Sequence, residues 1–156
     1  MYLFKTNYMK NLTLILLLIV SSFSFSQQYE YKIISVIESV VPNGLGRSRM
    51  LSETQPVDYK SATTRRTEEG KEKSDKSRSE IRTKVFEETK LLNFYNIGGI
   101  RFNNIATNDA LITAKLNDEA AKGWVLAFVT SGVESSGDKD KIGIYATRFI
   151  LRREVK

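Results

Sequence analysis

Residues 29–38, Tyr-Glu-Tyr-Lys-Ile-Ile-Ser-Val-Ile-Glu, are rich in β-branched and aromatic side chains. The alternation predicts a strand with Tyr31, Ile33 and Ile37 on one face and Ile34 and Val36 on the other. Apolar residues on both faces predict an interior strand. Val41-Pro42-Asn43-Gly44-Leu45-Gly46 then supplies turn chemistry. From Asp109 to Lys122 the pattern is helical. Lys115, Asp118, Glu119 and Lys122 fall on a charged arc. Ile112 and Leu116, flanked by Ala110, Ala114, Ala120 and Ala121, give the expected inner face. Asn108 suits the N-cap and Gly123 the C-terminal stop. Residues 124–130 predict a second strand, with Trp124, Leu126 and Phe128 on one face and Val125, Ala127 and Val129 on the other. A polar loop over 135–141 leads to a third strand over 142–153, and these two strands should form an antiparallel hairpin.

Two stretches are less regular. Residues 85–106 regain hydrophobicity through Val85, Phe86, Leu91, Leu92, Phe94, Tyr95, Ile97, Ile100, Phe102 and Ile105, split by Gly98-Gly99. Helical and strand periods both fit parts of it, so it is assigned to core packing without an element type. Residues 60–84 carry nine basic and five acidic side chains, and Ile81 is their one large aliphatic residue. Such a segment buries too little apolar surface to offset the entropy of ordering it. A solvated, disordered insertion is the expected form. A charged helix over 67–84, held by ion pairs four residues apart, is the alternative.

The order strand, insertion, helix, strand, strand predicts an α+β domain. Its sheet is small and mainly antiparallel: a split β-α-β plus hairpin, covered by one helix, with a long insertion after the first strand. The last strand is expected between the other two. One helix covers one face of a sheet, so 85–106 is expected to cover the second; otherwise a partner or a second copy must.

Lys5 and Lys10 precede the apolar run 12–20, and Ser24 and Ser26 end a small-residue stretch. That is the pattern of a signal peptide spanning 1–26, with an apolar run too short for a stable membrane span. The pattern therefore predicts export. The chain of 156 residues has a formal net charge of +6. Two of these charges lie in the signal and four in 60–84, so the rest is neutral, with 13 bases and 13 acids. The chain has no Cys and no His. Thiolate chemistry, disulfides, His-bearing zinc sites and Ser-His-Asp catalysis are excluded.

Tyr29-Glu30-Tyr31-Lys32 at the start, Ala120-Ala121-Lys122-Gly123-Trp124 at the helix end and Phe149-Ile150-Leu151-Arg152-Arg153 at the close form a pattern. It resembles a family of short bacterial domains of unknown function, with a Tyr-x-Tyr-Lys first strand, Gly-Trp after the helix and a basic last strand. The resemblance covers 29–38 and 109–153. Residues 47–106 fall outside it and resemble elaborations of exported envelope proteins, which implies the periplasm or the exterior of a Gram-negative bacterium. Val125 stands where the family pattern has Glu. The resemblance implies the fold and no activity.

Candidate chemistry is sparse. Gly44-Leu45-Gly46-Arg47-Ser48-Arg49 could hold an anion, but no helix follows the glycines at P-loop spacing. Asp138-Lys139-Asp140 lacks the further acidic ligands of a calcium loop. Trp124 is expected in the core, with ligand stacking as the rival. Glu87-Glu88, Asp109, Asp118-Glu119 and Glu134 are the acids from which a carboxylate-dependent hydrolase would be built, and they require a shared cleft. The basic segment 47–84 could bind an anionic polymer or surface. Nucleic acid is disfavoured, because acids interleave the bases and no aromatic side chain lies within 60–84 to stack on them. No cofactor is implied. The leading expectation is a non-enzymatic binding or interaction module, with candidate binding residues Arg47, Arg49, Tyr95 and Arg101, acting on an envelope protein or on itself.

Overall fold

The computed structural model describes residues 28–40, 48–96, 98–134 and 143–155. The signal pattern, the Val41–Gly46 turn, Arg47 and the Asp138-Lys139-Asp140 loop lie outside them. Glu30–Arg153 form the main body. A second unit joins 1–29 to 154–156, and in it Val155 donates its N–H to the Gln28 carbonyl at 2.9 Å.

The main body is an α+β fold. Strands β1 (Tyr29–Ser39), β2 (Arg49–Glu53), β5 (Phe86–Lys90), β8 (Val125–Glu134) and β9 (Ile144–Glu154) form one sheet in the order β5-β2-β1-β9-β8. β2 runs antiparallel to both β1 and β5, and β8 runs antiparallel to β9. Val40 N–H donates to Gly143 O at 3.0 Å, and Glu30 pairs with Arg153, so the start of each central strand meets the end of the other. β1 and β9 are therefore antiparallel. The last strand lies between the first and the hairpin partner, as the pattern predicts, and helix α1 (Phe102–Ala121) links the two halves of the split β-α-β.

Residues 47–106 do more than decorate. β2 was not predicted, and 85–106 does not cover the second face. Instead β5 extends the sheet edgewise, and the ribbon β6 (Tyr95–Asn96) with β7 (Gly99–Ile100) leads straight into α1. Gly99 takes φ +99°, a conformation that glycine adopts without a Cβ penalty. In 60–84 there is a 3-10 turn at Lys60–Ala62, then the ribbon β3 (Arg65–Thr67) with β4 (Gly70–Glu72). The charged-helix alternative is not formed. The segment is solvated as expected, with Ser61, Ala62 and Ser74 half-buried.

The helix starts seven residues earlier than the capping pattern predicts. Arg101, extended and with no side-chain cap, precedes it, and Asn108 lies buried within it. The C-terminal prediction holds: Gly123 takes φ +85°. Trp124 N–H donates to Glu119 O and Gly123 N–H to Ala120 O, at 3.1 and 2.9 Å. This pair of bonds is a Schellman motif, and it turns the chain directly into β8.

The helix face is the second correction. Ala110, Ala114, Ala120 and Ala121 are exposed, whereas Asn108 and Glu119 are buried and Ile112, Lys115 and Leu116 half-buried. Ile112 and Leu116, with Phe149, pack on the core of Ile34, Val36, Met50, Leu91, Trp124 and Leu151. The helix therefore sits on the sheet through a stripe that is apolar at its middle and polar at each end. Trp124 is a core residue, 8% exposed.

Candidate functional site

The polar ends of the stripe are two closed networks. At the C-terminal end, the Glu119 side chain is 1% exposed and lies among three ammonium groups. Lys32 on β1 donates at 2.8 Å, Lys115 lies at 3.2 Å and Lys122 at 3.3 Å. Burial pushes the Glu119 carboxyl up, but the bonds and charges of Lys32, Lys115 and Lys122 outweigh it and bring it to about 2. Lys115 also holds Glu87 on β5 at 2.7 Å, and Ser52 donates to the same carboxylate. Those bonds from Lys115 and Ser52 draw Glu87 below the usual range. Burial lowers the Lys115 ammonium, and the bonds to Glu87 and Glu119 more than reverse this. Lys32 and the Arg153 guanidinium stand over the Trp124 ring, at 5.1 and 4.5 Å from its centroid. Arg153 also pairs with Glu30 at 2.7 Å and donates to the Lys122 carbonyl.

These residues line a groove of about 410 Å³, floored by Glu119 and Trp124 and walled by 52–56 and Lys122. Glu87 and Glu119 thus share one cleft, the arrangement a carboxylate hydrolase requires. Their electrostatics oppose that chemistry. A glycosidase needs one carboxyl raised so that it can donate a proton, and here both are lowered and locked to ammonium groups. What the network does is neutralise charge under the helix: four cations face Glu30, Glu87, Asp118 and Glu119.

At the other end Asn108, fully buried, accepts the Leu92 N–H at 2.8 Å and donates to the Leu92 carbonyl at 2.8 Å and to Glu38 at 3.0 Å. Desolvation holds the Glu38 carboxyl above its ordinary value despite the bond from Asn108. Asn104 donates to the Asn93 carbonyl, and Asn93 Oδ1 accepts both Ser48 Oγ and Ser48 N–H. The buried amide groups thus clamp 91–93 between helix and sheet.

The opposite face of the sheet is different. Tyr31, Ile33, Phe86, Val125 and Phe128 are exposed there, the last at 62%. Ile150 lies opposite Phe128, and Leu51 opposite Ser35 and Glu88, on the same face. A register shift between Leu126 and Phe128 marks a β-bulge and changes the predicted facing of β8. Leu126 pairs with buried Leu151 on the helix side, whereas Phe128 pairs with Ile150 on the open side. Further along, Thr130, Gly132, Glu134, Ile144, Ala146 and Arg148 line a shallow depression of about 380 Å³, with Gly132 and Ala146 leaving the floor low. All ten residues of β8 are exposed.

Of the candidate binding residues, Arg49 stands on β2 and pairs with Glu88 of β5 on the open face. Tyr95 lies on β6, and Arg101 follows β7, its N–H bonded to Phe94 O. Ser48, next to Arg49, is tied to Asn93, so these segments adjoin at one end of the sheet. Among the described residues no hydrogen bond or ion pair joins Arg49 to Tyr95 or Arg101 themselves. The open face entered the sequence reading only as the alternative to cover by 85–106, and the Glu119 network escaped it. A usable signal was present for the latter: Glu119 has lysines four residues before and three after it, on the line that also carries Ile112 and Leu116.

Among the described residues no group of three or more carboxylates could hold a metal ion, and no helix is long and apolar enough to cross a membrane. No family model, curated protein or solved structure matches this chain.

Proposed function

We propose that this protein is a non-enzymatic interaction module of the bacterial envelope, exported by its first 26 residues, and that the open sheet face is its contact surface. One observation carries the reading: Tyr31, Ile33, Phe86, Val125 and Phe128 are exposed on one side of a sheet whose other side is packed under a helix. Large apolar side chains exposed together on one sheet face, here interspersed with Arg49, Glu53, Glu88, Arg148 and Arg152, commonly mark a contact surface. The mutual pairing of Lys32, Glu87, Lys115, Glu119 and Lys122 in the Glu119 groove supports a structural role for that side.

Site-specific photo-crosslinking in the producing cell tests this. A crosslinker replacing Ile33 or Phe86 should give a discrete adduct, while one replacing Leu111, exposed on the helix, should give none. Equal yields at all three positions, or no adduct from the sheet face, would refute the proposal.

A further inference from the structure

β8 is the edge strand of the sheet and spans ten residues. Its first nine, Val125 to Val133, carry no charge, no Pro and no Lys, and Glu134 is its one ionisable residue. Natural edge strands are normally kept from pairing by charges, prolines, covering loops or short length. β8 has one such device, the bulge next to Leu126, and it leaves 128–134 regular. The other edge is guarded differently: β5 is short and carries Glu87, Glu88 and Lys90.

We infer that β8 pairs with β8 of a second copy. This rests on the interaction-module reading and names the partner. About a twofold axis perpendicular to the sheet, β8 meets its copy antiparallel, and residues of like facing lie opposite each other. Thr130, Gly132 and Glu134 then oppose residues of the same set, and Val129, Ser131 and Val133 oppose theirs. Charge favours this occupant. Glu134 meets its own copy only in a register centred on itself, which would leave most of both strands unpaired. In every register centred nearer the middle of β8, Glu134 faces an uncharged residue. Both helices remain on one side, so the pairing yields one ten-stranded sheet whose open faces are continuous.

Area sets the strength. The seven residues 128–134 at about 3.4 Å each, in a layer about 10 Å thick, give roughly 240 Å² per copy, or about 500 Å² in total. Standard interfaces bury about 1,600 Å², so the dimer falls in the weak, reversible class. Its main-chain bonds along 128–134 supplement a small apolar contact.

Sedimentation velocity of the full chain from about 5 to about 500 µM should show a rapid monomer–dimer equilibrium with Kd in the region of 10–100 µM. Thr130→Lys and Val133→Lys, both at exposed positions, bracket the registers that pair 128–134, and whichever lies nearer the axis should weaken the dimer at least about tenfold by setting like charges close together across the seam. Phe102→Lys, exposed at the far end of the helix, should not. Amide exchange supplies a second readout: the β8 amides that do not bond β9 should be protected at high concentration and fast at low. A chain that stays monomeric, or one whose association ignores both lysines, as association through residues 12–20 would, overturns the inference. Adducts from Ile33 and Phe86 decide the broader reading independently, because neither residue lies on β8.

Discussion

Replacing Glu119 by Gln keeps the shape of the side chain and removes the charge around which Lys32, Lys115 and Lys122 gather. Outweighing burial, the three ammonium groups bring the carboxyl down to about 2 in the folded protein, against an ordinary 4.5. At about 1.4 kcal/mol per pKa unit, that difference is worth about 3 kcal/mol near neutral pH. The side chain is almost wholly buried, so solvent screening leaves this figure largely intact. The sign follows from linkage. A depressed folded pKa gives stability that is complete above the unfolded value of 4.5 and is lost as pH falls through 2. Between wild type and Glu119→Gln the difference should therefore be about 3 kcal/mol at pH 7 and about 1 kcal/mol at pH 3. Urea denaturation measures it, with fluorescence of Trp124, the single Trp, reporting the core beside the substituted site. A penalty equal at both pH values would mean that packing, not charge, is what Glu119 contributes. A negligible penalty at pH 7 would mean that desolvation cancels the three lysines, as it does for many buried ion pairs.

The second network makes the opposite pH prediction. The folded pKa of Glu38 is raised, so its contribution is complete below the unfolded value and lost as pH rises. Glu38→Gln should leave stability unchanged or higher at pH 7, as read from the urea midpoint; a large loss would contradict the assigned desolvation. Asn108→Ala should cost about 2–4 kcal/mol, because both backbone groups of Leu92 and the Glu38 carboxylate lose a partner in a buried setting. Thermal unfolding of the variant checks this. Gly123→Ala should cost about 1 kcal/mol through its positive φ alone, since an added Cβ would come no nearer than 3.5 Å to Arg153. A cost several times larger would show that the Arg153 contact is tighter than this spacing allows.

The parts of the fold legible in the sequence are those fixed by local signals. Gly123-Trp124 ends the helix because only the backbone at that point decides it. β1 and the β8–β9 hairpin show in their alternation, and the central place of β9 agrees with the split β-α-β expected from the element order. The parts that were not legible depend on distant partners. Asn108 satisfies every preference of an N-cap, yet Leu92 and Glu38, 16 and 70 residues away, claim its side chain. Glu119 reads as solvated until Lys32, 87 residues earlier, is placed beside it. β2 is five residues long with Arg49 and Glu53 at its ends, too short for its alternation to stand out. The open face could be stated only conditionally, because what covers a sheet is settled by where 85–106 goes, and that segment fits two periods.

The sheet order has a consequence for how the chain reaches this structure. β1 and β9, adjacent at the centre, are the first and last strands, and the Glu30–Arg153 pair closes a separation of 123 residues. Contact order of this kind slows folding, since the entropy of a long loop is lost before the central ladder forms. Until β9 is available, β1 can join β2 and β5 but has no strand to seat between it and β8. The sheet closes only when its last strand enters its centre, so the edge half β5-β2-β1 can form well before the whole.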